Sequence, residues 1–322
     1  MYLDVIRQLS IMVMIAVAGF CVTKAFKFGK GEQMFMSKIL LYVINPCMIL
    51  VTFDVPYDSL KLREMGLGIC FALAEHFILT CIALLFCRSR NASFRDWDSI
   101  DRLGVVFTNS AFIGIPLISG VFGSEGVFYL MGYIAVFNLW IWTFGYSMMG
   151  GKINLLKVLR NPNIIAVVAG LVLFCIPGEI PGVLKTPLKY VGDMNTATSM
   201  LLLGMLFATF SVPSRKGSDG SGMVGVYVSR VLKLAVLRLV VPAAVMMLAA
   251  WGFVSLFSGM EHIRLMAYVV FIASLCPVGM MVSSFAVLFG KDESYASLLV
   301  SVTSALCIIT LPVSIAIAEH IF

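Results

Sequence analysis

The sequence has little charge for its length. Of its 322 residues only 12% are Asp, Glu, Lys or Arg, whereas 60% are hydrophobic. A soluble domain carries roughly 25% charged residues, and so few charges could not keep a surface of this composition in water. The low charge excludes a large soluble domain and indicates that the solvent of this chain is lipid.

Motifs of enzymes are also missing from the sequence. The only histidines are residues 76, 262 and 320, and there is no P-loop, no HExxH motif and no nucleophile elbow. The eight cysteines lack the paired spacing of a disulfide framework or a zinc site. We therefore expect no enzyme activity, no metal site, no cofactor and no ATP-driven transport.

Long apolar runs, in contrast, recur along almost the whole chain, and a run of about 20 such residues can cross a bilayer as a helix. We predict ten membrane-spanning helices, near residues 4–24, 33–53, 65–87, 103–121, 125–149, 162–177, 189–211, 225–255, 263–289 and 294–321. Basic residues follow the first run and do not precede it, so we interpret this run as an uncleaved span and not as a signal peptide.

The basic residues fall mainly in every second loop, beginning with Lys24, Lys27 and Lys30. By the positive-inside rule these loops are cytoplasmic, which places both termini outside the cell. The net charge of +6 thus reports topology, and we expect no nucleic-acid partner. One cytoplasmic segment, residues 88–102, mixes Arg with Asp and Trp, and our hypothesis is that it lies along the membrane surface. A second, the Gly/Ser-rich Arg215–Gly222, is interpreted as a flexible connector.

The predicted spans divide into two equal halves. Five precede a basic connector at residues 151–161 and five follow it, so residues 1–150 and 162–322 form the two units. An odd number of spans per unit gives the two units opposite orientations in the membrane. The fold class that we predict is therefore an all-α polytopic membrane protein of ten helices in two inverted five-helix repeats.

The fourth span of each half carries proline and glycine deep in its apolar stretch: Gly114 and Pro116 in the first, Pro277 and Gly279 in the second. Proline removes a backbone donor, so both helices should unwind near the middle of the membrane, and their half-helix N-termini would suit an anion. A role in packing alone is the alternative for each proline. Polar side chains beside these interruptions are further candidates for substrate contact: Asn109, Ser110, Ser283 and Ser284. Asn138 in span five contacts either the substrate or a neighbouring helix.

Ionisable residues inside spans are costly in lipid and indicate either ion pathways or buried pairs. Glu75 and His76 lie in span three, and Arg238 lies in the corresponding span of the second half. Both readings stay open: a structural pair of Glu75 with Arg238, or proton transfer by Glu75 or His76. Asp193, with Asn195, opens span seven, either as a helix cap or as a substrate or cation ligand.

Several segments in order make the chain resemble the auxin efflux carrier family, which includes bacterial relatives of the plant PIN-formed auxin carriers. They are TNSAFIGIPL and GVFGSEG in span four, RNPNIIAVVAGL from Arg160, LLLGMLFA in span seven, and SLCPVGMMVSSFAVLFGKDESYASLL in spans nine and ten. The resemblance implies spans four and nine that are broken at prolines and cross. Asn109 matches the family's substrate-contacting crossover asparagine, and Pro116 and Pro277 match its crossover prolines.

The resemblance also implies a scaffold of spans 1, 2, 6 and 7, a transport unit of spans 3–5 and 8–10, elevator-like motion, often a homodimer, and a bacterial inner-membrane location. The long central loop of the plant carriers is replaced here by a short connector. Bacterial relatives are associated with small carboxylates such as malonate and malate. Our leading hypothesis is a carrier of such anions, with a proton or sodium as coupling ion. The alternatives are a sodium-coupled symporter of the bile-acid-carrier type and a transporter-like sensor.

Overall fold

A computed structural model describes residues 1–89, 95–153, 159–176, 178–209 and 220–321. Within these ranges the regular secondary structure is helical. The helices in chain order are α1 Tyr2–Phe26, α2 Lys30–Thr52, α3 Ser59–Phe86, α4 Arg95–Val106, α5 Ser110–Met148, α6 Pro162–Cys175, α7 Gly182–Asp193, α8 Asn195–Thr209, α9 Gly220–Ala235, α10 Val241–Leu256, α11 Ile263–Leu275, α12 Met281–Leu288 and α13 Glu293–Ala318.

Six helices of the described ranges are long and apolar enough to cross a membrane, which confirms a helical membrane protein. They are α1, α2, α3, α5, the continuous helix Tyr227–Leu256 and α13, while α6 and α11 are apolar but shorter. Helix α5 contains parts of two predicted spans, and Gly123 divides it with a non-helical conformation (φ 65°, ψ −155°). Glycine adopts a positive φ without the steric cost that other residues meet. The count of ten spans and the inverted repeat stay predictions.

The two ends of the chain lie together. The amino group of Met1 is 3.1 Å from Oε1 of Glu319, and the backbone N–H of Tyr2 donates to the same carboxylate at 3.0 Å. Helix α1 therefore starts on the side of the molecule where α13 ends. If the apolar helices cross a bilayer, an even number of crossings separates these two points.

Three of the four wide π-turns in the described residues stand directly before a proline, whereas the fourth, Ile141–Gly145, does not. The three are Leu40–Ile44, Ser110–Gly114 and Val236–Val240, which are followed two residues later by Pro46, Pro116 and Pro242 respectively. Proline offers no N–H to the carbonyl four residues earlier and its ring presses on that carbonyl. Widening the preceding turn relieves the contact without ending the helix.

The segment that follows the third predicted span differs from our hypothesis of a surface-lying loop. Helix α4 already begins at Arg95, and Trp97, Asp98 and Asp101 in its first turns are buried. Residues 95–102 therefore form a helix and not a loop, and these three side chains pack against α9 and α13, whereas a position along the membrane surface stays a prediction. Residues 90–94 of this segment, 154–158 of the central connector and 215–219 of the Gly/Ser-rich connector lie outside the described residues, as do residues 210–214 before it.

The helices pack in two groups. In the first group, α1 packs along α8, and α2 packs against α6, α7 and α8. The contact of α1 with α8 is close: a Cβ on Gly204 would collide with the backbone of Ala16, and one on Gly19 with the backbone of Leu201. Small residues allow such close approach of two helices in lipid.

The second group contains α3, α4, α5 and α9–α13. Within it α3 packs on α4 and α5, α11 packs on α3, α5 and α10, and α13 packs on α9 and α12. Polar contacts also connect the two groups. The side-chain amide of Gln8 on α1 donates to the carbonyl of Pro116 on α5 at 3.1 Å, and Lys30 at the start of α2 pairs with Glu293 on α13 at 2.8 Å.

Candidate functional site

Two helices are interrupted at the centre of the second group, and the interruptions cross. One lies between α4 and α5, the other between α11 and α12. The N–H of Asn109 donates to the carbonyl of Pro277 at 2.8 Å, and the N–H of Gly279 donates to the carbonyl of Phe107 at 2.9 Å. Together they form an isolated antiparallel bridge, so backbone groups freed by one break are partly satisfied by the other.

The break in span four is not at Pro116, which corrects our expectation. The chain leaves helical geometry at residues 107–109 and is helical again from Ser110, ahead of the proline. The π-turn accommodates Pro116, whereas pairing with the other broken segment fixes where the helix opens. Pro277, in contrast, lies in the crossing itself.

Glycine is required where the two segments touch. A Cβ on Gly279 would lie 2.7 Å from the carbonyl oxygen of Thr108, closer than real Cβ contacts. At Gly114, a Cβ would lie 3.3 Å from the sulfur of Cys276, which is tight but accommodates small shifts. The crossing therefore depends on the absence of a side chain at Gly279.

A cavity of about 320 Å³ lies against the crossing. Four of the predicted site residues line it: Asn109, Asn138, Gly279 and Ser284. Its walls are mostly apolar and aromatic, from Phe112, Phe137, Trp142, Met280, Met281, Phe285 and Leu288. Polar residues at its sides are Ser37, Lys38, Thr108, Asn161 and Asn163. A mainly apolar pocket with a few polar groups is typical of small-molecule sites.

Three of the residues that line this cavity carry buried polar atoms that have no hydrogen-bond partner among the described residues. They are both side-chain atoms of Asn109, Nε1 of Trp142 and Oδ1 of Asn163. Asn109 is 1% exposed, and it precedes the first turn of α5, whose amides have no partner within their own helix. Buried polar groups are normally paired, so these atoms are candidates for contact with a polar ligand or with water.

Other predicted residues lie outside the lining of this cavity. Ser110, Gly114, Pro116 and Pro277 are buried but do not line it, and the hydroxyl of Ser110 has no hydrogen-bond partner in the described ranges. Ser283 lines a neighbouring cavity of about 240 Å³. This second cavity also contacts Lys30, Glu293 and several hydroxyl side chains, and it shares lining residues with the first.

Glu75 and His76 lie on α3 and are fully buried beside the crossing. The hydroxyl of Tyr133 donates to Oε1 of Glu75 at 3.3 Å and lies 3.5 Å from the hydroxyl of Thr108, which lines the cavity. Nδ1 of His76 is 2.8 Å from the carbonyl of Ala72 and 3.8 Å from Oε2 of Glu75. Within the part of the chain that the structure describes, Nε2 of His76 and Oε2 of Glu75 have no hydrogen-bond partner.

Arg238 is also fully buried, but backbone carbonyls and not a carboxylate receive its hydrogen bonds. Its guanidinium donates to the carbonyls of Val105, Ser274 and Cys276. Among the described residues it forms no direct ion pair with Glu75. Neither of the two hypotheses drawn from the sequence included these carbonyl partners of Arg238.

Asp193 and Asn195 do not open one helix together. Asp193 is the last residue of α7 and Asn195 the first of α8. Asp193 is exposed and accepts from Lys189 at 2.6 Å, while the amide of buried Asn195 donates to Oδ1 of Asn45 at 2.7 Å. The N-cap interpretation was therefore wrong for Asp193, and a role of Asp193 in coupling stays a prediction.

The sequence reasoning missed Lys38, Thr108, Trp142, Asn161 and Asn163 as cavity residues. Asn161 and Asn163 belong to the segment RNPN, which supported the family resemblance but was not predicted to be part of a site. Asn161 caps α6 through its side-chain oxygen, which accepts from the N–H of Asn163 at 2.9 Å. Trp142 gave no signal, because a tryptophan near the end of an apolar run is ordinary in membrane helices.

The apolar helices and the crossed breaks, with a cavity against them, define a multi-pass helical membrane protein. The family model described as "Membrane transport protein" matches residues 4–154 and 151–315. The chain belongs to this family, the auxin efflux carrier family of membrane transporters, which confirms the resemblance seen in the sequence. Comparison with curated proteins gave no match.

Proposed function

We propose that this membrane transporter carries small organic anions, such as mono- or dicarboxylates of the malonate or malate type, and binds them at the crossing. The observation that carries the proposal is Asn109, which lies next to the N-terminal end of α5. Its two side-chain polar atoms are buried and have no hydrogen-bond partner among the residues that the structure describes. An amide donor and free backbone N–H groups at a helix N-terminus are the groups that a carboxylate prefers.

The size of the cavity supports a small substrate. Its volume of about 320 Å³ lies near the lower end of the range for ligand pockets, roughly 300–1,000 Å³. Nε1 of Trp142 adds a second donor on the wall. Lys38 on α2 contributes a positive charge to the lining. Helix α2 begins directly after the basic segment that contains Lys24 and Lys27, on the same side of the molecule. By the positive-inside rule we infer that this side is cytoplasmic and that the substrate enters or leaves there.

The two packing groups support an elevator motion. The crossing and its cavity wall belong mainly to the second group, and α1, α2 and α6–α8 form the first. In this proposal the second group slides along the first. This requires three contacts to break: Gln8 with Pro116, the exposed pair of Lys30 with Glu293, and Glu319 with the amino group of Met1 and the N–H of Tyr2. An exposed ion pair is weak, about 0–1 kcal/mol, and opposes such motion little.

The test is Asn109→Ala in protein reconstituted into liposomes. We expect uptake of radiolabelled malonate or malate to fall about tenfold or more, because losing hydrogen bonds to a charged ligand costs about 1.5–3 kcal/mol. The same carboxylates should raise the melting temperature of the wild-type protein in detergent and not that of the variant. Unchanged uptake by Asn109→Ala would remove the site assignment.

A matched control is Asn195→Ala. Asn195 is an equally buried asparagine, but it hydrogen-bonds Asn45 and does not line the cavity. This change should lower the melting temperature and leave the carboxylate-induced increase in place. Carboxylate binding to the wild type without any flux into liposomes would favour the transporter-like sensor.

We further propose a proton as coupling ion, carried by Glu75. The hydroxyls of Tyr133 and Thr108 connect this carboxyl to the cavity, so a proton has a path between the two. Wild-type uptake should rise as the external pH falls, and Glu75→Gln should make uptake independent of pH. Glu64→Gln is the control, because Glu64 is as deeply buried but accepts from Tyr129 at 2.7 Å and from the N–H of His262 at 2.9 Å. Equal loss of the pH response in both variants would contradict this role.

A further inference from the structure

Arg238 is an unusual buried cation. Its side chain is 0% exposed at the centre of the second group, on the π-turn Val236–Val240. Nε donates to the carbonyl of Cys276 at 3.1 Å and Nη1 to that of Val105 at 3.0 Å. Nη2 donates to the carbonyls of Cys276, at 2.8 Å, and of Ser274. A buried charge of this kind persists only when its hydrogen bonds are satisfied, as they are here.

The carbonyls that surround the guanidinium come from the ends of two half-helices. Val105 is in the last turn of α4, Ser274 is in the last turn of α11, and Cys276 directly follows α11. The last carbonyls of a helix have no partner inside it and carry the negative end of the helix dipole. Both half-helices therefore present negative ends to one point, and Arg238 occupies that point.

Carriers with broken helices often place a free sodium ion or proton at such half-helix C-termini. We propose that Arg238 is a tethered cation that takes this place, so that the crossing is held together without a free sodium ion. The cation is part of the chain, and the carbonyl positions where sodium would bind are already used. This role in holding the crossing stands on the geometry alone, whereas its consequence for sodium dependence of uptake rests on the proposed function.

The local chain supports this assignment. Pro242 lies four residues after Arg238, and the wide π-turn before it displaces the side chains of this turn relative to a regular helix. Glu75 is not hydrogen-bonded to Arg238 and accepts from the hydroxyl of Tyr133 instead. The carbonyl ends, and not a paired acid, are therefore the direct partners of the guanidinium.

The first experiment measures the melting temperature of the purified protein in detergent with either sodium chloride or N-methyl-D-glucamine chloride. We expect the wild-type melting temperature to be the same in both salts. Arg238→Ala should melt about 10 °C or more lower, because it leaves several carbonyl groups unpaired in the interior. Millimolar sodium or methylguanidinium, which fits the space left by the side chain, should restore part of this loss.

Leu239→Ala is the matched control on the same turn. Leu239 is 4% exposed, so its removal also leaves a cavity, but an apolar one. It should melt lower than the wild type, and neither sodium nor methylguanidinium should restore it. Equal responses of Arg238→Ala and Leu239→Ala to these cations would overturn the proposal.

Two further measurements keep the test decisive if Arg238→Ala does not fold. Arg238→Lys keeps a positive charge but has fewer hydrogen-bond donors, and Arg238→Met has a similar volume and no charge. Arg238→Lys should fold, and its melting temperature should lie between those of the wild type and Arg238→Met. A wild-type protein that melts higher in sodium chloride than in N-methyl-D-glucamine chloride would contradict the proposal directly. Absence of carboxylate uptake would contradict the proposed function and leave these melting temperatures as a separate result.

Discussion

Gly279→Ala should abolish measurable uptake and lower the free energy of unfolding by about 1–3 kcal/mol, the usual cost of an added methyl group in a packed interior. The new methyl group would lie 2.7 Å from the carbonyl oxygen of Thr108 and near that of Phe107. Both atoms belong to backbone that the crossing holds in place, so neither can turn away as a flexible side chain would. The hydrogen bond from the N–H of Gly279 to Phe107, now 2.9 Å, would lengthen or break.

Uptake by this variant should fall further than the lower free energy of unfolding alone explains. The crossing positions Asn109, whose own N–H is bonded to Pro277 in the same bridge, and a displacement there moves the proposed anion site. Uptake into liposomes and equilibrium unfolding in mixed micelles measure the two effects separately.

Gly252→Ala provides the comparison for this change. Gly252 lies inside α10, is exposed, and a Cβ there meets nothing within 4 Å. Alanine is the better helix former, so this variant should be as stable as the wild type or slightly more stable, with normal uptake. Normal uptake by Gly279→Ala would show that the crossing tolerates a side chain and that its close contact is not needed for transport.

The coarse architecture could be predicted because it depends on composition and local signals. Apolar length alone indicates helices in lipid, and prolines with glycines in two apolar runs indicate interruptions. Both interruptions are present, and Pro277 and Gly279 lie in one of them. Asn109, predicted as a donor beside a break, lines the cavity as an unpartnered side chain.

The remaining features depend on partners that are far apart in sequence. The break in span four lies at residues 107–109 because backbone near Pro277 pairs with it, whereas Pro116 needs only a wider helical turn. Arg238 is read from sequence as a partner for an acid, yet its ligands are carbonyls, which every residue has. No pattern of residue types can indicate that choice. The contribution of Trp142 to the cavity likewise depends on how α5 and α12 meet.

The start of α4 provides the second large expected effect. Arg230 on α9 donates to Oδ1 of Asp98 at 2.8 Å and also to Asp101, whose carboxylate accepts from the hydroxyl of Tyr295 at 2.6 Å. All three charged side chains are largely buried, with 15%, 6% and 9% of Arg230, Asp98 and Asp101 exposed. These contacts connect α4, α9 and α13 at one end of the second group.

Arg230→Met should therefore lower the free energy of unfolding by about 3–5 kcal/mol, because it leaves two buried carboxylates without their cation. Methionine keeps much of the length of the side chain, so most of the loss reports the missing charge and its hydrogen bonds. The measurement is equilibrium unfolding in mixed micelles. The double change of Asp98 and Asp101 to Asn in the Arg230→Met background should recover part of the loss, since neutral amides cost less to bury than carboxylates.

Lys291→Ala tests whether burial, and not the mere presence of an ion pair, sets this cost. Nζ of Lys291 lies 3.1 Å from Oδ1 of Asp96, which is on α4 like Asp98 and Asp101. The side chain of Asp96, however, is 79% exposed. Water and salt screen such a pair, so its loss should cost about 0–1 kcal/mol. A similar loss in both variants would mean that the carboxylates of Asp98 and Asp101 reach water once Arg230 is gone. In that case the first turns of α4 would be less firmly enclosed by α9 and α13 than their burial indicates.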